Sequence, residues 1–151
     1  MELDPHVLHL AIRWLHVAAM ATAFGGAVTV FALAARGGVD LARALLPVAL
    51  RYEWIFWAAA GVLAMTGIGN LAAFGVSLLG PATSWGTTLL LKLGSVLALV
   101  VLSLPRTLAV ARLNLVTASP ATSLVTIRNL YGATSAAFAI ILALAIWLAH
   151  G

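Results

Sequence analysis

The chain contains no cysteine. That excludes disulfides, thiolate-held iron–sulfur clusters and covalently attached c-type haem. Any metal or haem would be held by histidine, lysine, methionine, tyrosine or oxygen ligands. Acids are almost as scarce, with four among 151 residues. Hydrolytic chemistry has little to draw on, and Glu53 beside Arg51 reads as an interfacial ion pair rather than a catalytic base. Charged residues of either sign make up 8% of the chain, against 64% hydrophobic and a mean hydropathy of +1.12. A soluble domain needs far more polar surface. The sequence pI near 10.8 does not point to nucleic acid, because seven arginines and one lysine are scattered near the ends of apolar segments instead of forming a patch. The start, Met1-Glu2-Leu3-Asp4-Pro5, lacks the positive charge of a secretory signal, so residues 1–30 read as mature protein.

What is present is four apolar stretches, each long enough to cross a bilayer, which takes about 20 residues. They run about 6–35, 47–79, 85–104 and 121–150. The breaks carry turn chemistry: Arg36-Gly37-Gly38, Gly80-Pro81, and Pro105 through Ser119-Pro120. Pro47 suits the first turn of the second helix, where its missing N–H costs nothing. Short connections between long helices predict an all-α, integral membrane, antiparallel four-helix bundle, one domain over residues 1–151. Gly25-Gly26, Gly61, Gly67, Gly69, Gly94, and Gly132 with Ala136 are places where helices can approach closely.

Arg36, Arg43 and Arg51 flank the first connection, and Arg106, Arg112 and Arg128 the third; the second has no charge. By the positive-inside rule, the first and third connections face the cytoplasm and both termini face outward. A bacterial inner membrane with the termini on the periplasmic side is the expected setting. The expected partners are the lipid bilayer, other membrane subunits or further copies of this chain, and a redox partner.

Arg13 and Lys92 are left over from that pattern. His6, His9, Arg13 and His16 follow at spacings of three, four and three, and Met20 continues the series. Such spacing puts them on one helix face, and polar groups inside a membrane helix should face the bundle. His16 is roughly 15 Å below the helix start by the rise per residue. Lys92, the only lysine, is roughly 10 Å below the same outer face. An ammonium in the bilayer costs about 2.5–3.5 kcal/mol on insertion scales, so a lone intramembrane lysine marks a candidate functional site. Thr66, Asn70, Asn129, Tyr131, Thr134 and Ser135 read as interhelical hydrogen-bonding groups, with Asn129 and Tyr131 alternatively a second polar site near the inner face.

Trp85-Gly-Thr-Thr-Leu-Leu-Leu-Lys92-Leu-Gly, continuing to Leu104-Pro105-Arg106, together with Met65-Thr66-Gly67, resembles the copper-resistance D (CopD) family. Trp14-Leu15-His16 with Gly25-Gly26 resembles the first helix of that family and of the related HemJ-type protoporphyrinogen oxidases. The resemblance spans most of the chain as one four-helix unit; CopD proteins are usually larger. The HemJ likeness implies haem b, with roles for His16 and Lys92. Ala27-Val-Thr-Val-Phe stands where HemJ-type proteins carry an aromatic-Leu-Pro-Arg stretch, which weighs against porphyrinogen oxidation.

Three readings result. In the first, the chain is a b-type haem protein for electron transport. His16 and Lys92 would be at the iron, Arg13 on a propionate, His9 nearby, and Trp14, Phe24, Trp54, Trp57 and Phe138 along the ring. In the second, it handles copper through His9, His16 and Met20, with His6 and Met65 as further donors, since nitrogen and thioether ligands suit that metal. In the third, it is a structural subunit without cofactor.

Overall fold

The structure, a computed structural model, describes residues 5–73, 83–115 and 119–150. Its helices are α1 (Pro5–Arg36), α2 (Val39–Ala73), α3 (Ser84–Leu115) and α4 (Pro120–His150). All four are long and apolar enough to cross a membrane. The protein is an all-α integral membrane bundle of four helices. Leu10, Leu97, Leu102 and Ile146 are exposed because in this setting the outward face meets lipid rather than water.

Helices α1 and α4 match the hydropathy reading within a residue at each end. Helices α2 and α3 correct it, because neither proline is a terminus. Pro47 sits inside α2, which begins at Val39, and Pro105 sits inside α3, which continues to Leu115. Proline removes one backbone bond and crowds the carbonyl four residues back. Membrane helices tolerate that where neighbours re-satisfy the backbone. The Gly80-Pro81 turn lies outside the described residues.

Helix α1 packs on α2 and α4, α3 packs on the same two, and α2 meets α4 across the centre, while α1 and α3 scarcely touch. The face of α1 toward its partners is a stripe of small residues, Ala19, Ala23, Ala27, Val30 and Ala34, all buried. Small side chains allow backbones to approach closely, which is how lipid-embedded helices gain packing energy. Two glycines are indispensable to this approach. A Cβ on Gly26 would sit 2.5 Å from Tyr52 Cε2, and one on Gly132 would sit 3.0 Å from Phe31 Cε2. Gly25, Gly61 and Gly94, read from sequence as contact points, instead face open space.

Candidate functional site

Two polar sets occupy the bundle at different depths. The deeper is built on Glu53 of α2. By the rise per residue it lies about 15 Å from Arg43 at the start of its span, the middle of a hydrocarbon core about 30 Å thick. Arg106 Nε donates to Glu53 Oε1 and Arg106 Nη2 to Oε2, each at 3.0 Å. Tyr131 Oη of α4 donates to Oε1 at 2.6 Å, and Thr107 Oγ1 donates to Oε2. Each carboxylate oxygen thus has two polar neighbours, although the single Thr107 hydroxyl proton is shared with the Ser103 carbonyl at 2.9 Å. The remaining contacts close the set: Arg106 Nη1 donates to Thr134 Oγ1 at 3.1 Å, and Trp57 Nε1 donates to Thr107 Oγ1 at 3.0 Å. The guanidinium lies 4.2 Å from the Phe56 ring centre and 5.6 Å from that of Tyr131, a cation–π arrangement. Tyr52 ties α1 to this layer by donating to the Ala23 carbonyl at 2.7 Å.

Glu53 and Arg106 are each 3% exposed. The reading of Glu53 as an interfacial partner of Arg51 is therefore corrected: Arg51 is exposed, and Glu53 pairs across the bundle. The same holds for Arg106, assigned from sequence to the third connection because Pro105 was taken as the helix end. With α3 continuous, Arg106 lies nine residues inside it and reaches the depth of Glu53. Sequence carried a signal for this pairing. Glu53 and Arg106 each sit in an apolar run, and Tyr131 and Thr134 are three apart on one face of α4. With two polar neighbours on each Glu53 oxygen, the set is neutral and closed.

The second set lies about 20 Å further along α2 by the same rise. His16 Nδ1 and Thr66 Oγ1 are 2.8 Å apart, and Thr66 Oγ1 donates to the Val62 carbonyl at 2.7 Å. A carbonyl only accepts, so it takes the single hydroxyl proton. Nδ1 of His16 is then the donor to Thr66, and in the neutral ring Nε2 keeps its lone pair. This is how ligating histidines are commonly oriented. Lys92 of α3 is half-buried.

The rest of the predicted stripe divides. His9 and Met20 are half-buried with His16, whereas His6 and Arg13 are exposed. Met65 is 78% exposed, pointing away from His16. Among the described residues, no group of three or more His, Asp or Glu side chains is placed to hold a metal ion. Thr66, Tyr131 and Thr134 make the interhelical bonds expected of them, while Ser135 Oγ is buried without a partner and Asn129 is exposed. Tyr131 belongs to the central layer and not to a separate inner-face site. The side chain of Asn70 lies outside the described residues.

The haem arrangement does not fit these residues. Trp14 and Trp54 are 68% and 82% exposed, so neither lines an interior slot. Phe24 and Phe138 pack on each other with ring centres 5.8 Å apart, and Phe138 packs on Phe56. Trp57 is committed to Thr107. The His16 ring also abuts α2, since a Cβ on Gly67 would meet its Cε1 at 3.7 Å.

Neither the curated proteins nor the solved structures include a match to this chain. The sequence model of one family, copper resistance protein D, matches residues 46–148. The match takes in most of α2, all of α3 and nearly all of α4, and so includes Glu53, Thr66, Lys92, Arg106 and Tyr131. The chain belongs to the copper resistance protein D family.

Proposed function

We propose that this protein handles copper within the membrane, receiving the ion as substrate at the His16 end of the bundle. The observation that carries this reading is the Val62–Thr66–His16 chain, which leaves His16 Nε2 unprotonated and turned away from its anchoring bond. Met20 lies one helical turn on, half-buried on the same side, and a nitrogen with a thioether is a soft pair suited to Cu(I). Lys92 of α3 is half-buried and is the further nitrogen donor this reading would draw on. His9 is two turns from His16, about 10 Å along the axis, and serves as an earlier stop for the ion rather than as a ligand in the same sphere. Such a sparse donor set suits cargo that must leave again. Family membership supports copper over haem.

The closed Glu53–Arg106 layer holds the helices together beneath that site. Arg36, Arg43, Arg51, Arg112 and Arg128 are exposed and belong to the opposite end; the positive-inside rule supports reading that end as cytoplasmic and the copper site as facing outward. Removing Arg106 from the tally leaves this orientation unchanged.

The test is competition for Cu(I) between the purified protein and a chromophoric chelator. His16→Ala is expected to weaken binding by about tenfold or more, equivalent to about 1.4 kcal/mol, and His6→Ala to leave it unchanged. Wild-type affinity in the His16 variant would remove the assignment. A b-type Soret band from the purified protein would restore the haem reading.

A further inference from the structure

The groove on α1 lies at the end of the bundle remote from His16. It is lined by Val28, Thr29, Ala32, Leu33 and Arg36 of α1 and by Leu41 of α2. Five of these six side chains offer it hydrocarbon or a spent hydroxyl, since Thr29 Oγ1 donates to the Gly25 carbonyl at 2.8 Å. The sixth is a cation. From Val28 to Arg36 the groove follows α1 for about 12 Å, and Arg36 ends both the helix and the membrane span. A long apolar channel therefore runs within the hydrocarbon depth and finishes on a guanidinium at headgroup level.

The floor of the groove depends on Gly37. A Cβ there would lie 2.6 Å from Leu41 Cδ2 and 2.9 Å from the Leu33 carbonyl. A side chain at that position would collide with Leu41, which lines the groove. Arg36 itself is exposed and makes no ion pair among the described residues. Asp40, in the next turn, is the nearest acid in sequence, and its side chain lies outside those residues.

We infer that this groove binds one anionic phospholipid, its acyl chain along Val28, Ala32 and Leu33 and its phosphate on Arg36. The charge sign selects the lipid: basic pockets at helix ends hold anionic headgroups, and a guanidinium matches phosphate geometry with paired donors. The apolar length rules out a free phosphate as the natural occupant, since it would leave the channel uncovered. The inference does not depend on copper.

Native mass spectrometry of the full chain released from micelles tests it, with phosphatidylglycerol and phosphatidylcholine of identical acyl chains as probes. Wild-type protein should retain phosphatidylglycerol about fivefold better, the effect of one arginine beside an anionic headgroup. Arg36→Gln, at an exposed position, should erase that preference. Ala32→Phe, if folded by circular dichroism, should lose both lipids because the ring fills the channel. Arg128→Gln removes an exposed arginine outside the groove and should keep the wild-type preference. Equal retention of the two lipids by wild-type protein, or an unchanged preference in Arg36→Gln, would overturn the site. So would a loss in Arg128→Gln as large as that in Arg36→Gln, which would show diffuse attraction to a basic surface.

Discussion

The central and outer polar sets are made of similar material yet differ in completeness. At the centre, each Glu53 oxygen has two polar neighbours and Arg106 is stacked on Phe56. At the outer end, His16 is held by one nitrogen and Lys92 forms no ion pair among the described residues. A satisfied buried network orders helices and offers nothing to a ligand. A histidine held through one nitrogen has the other left for a ligand. The difference separates polar residues that hold this bundle together from those the copper proposal draws on, although both sets are polar groups inside a membrane.

The largest expected effect comes from opening the closed set. Glu53→Gln leaves the Arg106 charge buried without its counter-ion, a loss of about 3–5 kcal/mol. Reversible unfolding in mixed micelles would measure it. Adding Arg106→Met to that variant should recover part of the loss, so that the double change costs less than the two singles combined. Additive losses would show that the two side chains do not act as a unit.

The same unfolding measurement on His16→Ala should move stability little, by about 1 kcal/mol for one half-exposed hydrogen bond, even as copper binding falls. A loss as large as that of Glu53→Gln would make His16 a structural group and dissolve the contrast. Thr66→Val sharpens the point further. It removes only the partner that sets the tautomer, and second partners of metal-binding histidines are worth about 10–100-fold in affinity. Unchanged copper binding in Thr66→Val would mean that the Val62–Thr66–His16 chain does not prepare the ligand.

Smaller effects distinguish the tight approach from open space. Gly26→Ala drives a methyl group into the Tyr52 ring, with an expected cost of about 1–3 kcal/mol from overpacking. Gly61→Ala meets nothing within 4 Å and should be neutral or stabilising by up to about 1 kcal/mol, because alanine is the better helix former. Equal responses from the two variants would contradict the packing of α1 on α2.

Much of the molecule was legible in sequence for physical reasons. Bilayer thickness sets the length of an apolar run, so four spans could be counted and the ends of α1 and α4 placed closely. The family was also legible, in the stretch from Trp85 to Arg106 and in Met65-Thr66-Gly67. The start of α2 and the end of α3 were not, because a proline's local effect was read as a helix boundary. In a long membrane helix, one missing backbone bond is too small a loss to end the helix.

The sequence by itself determined that this chain lies in a membrane as four helices and which polar residues are costly there, because hydropathy and helical rise are local properties. Only the tertiary structure decided what those residues do. Glu53 and Arg106 are 53 positions apart, as are no two residues that periodicity can connect, and their pairing exists only because α2, α3 and α4 meet at one depth. The same is true of His16 and Thr66, 50 positions apart. A local pattern can mark a charge as out of place, but its partner is chosen by packing.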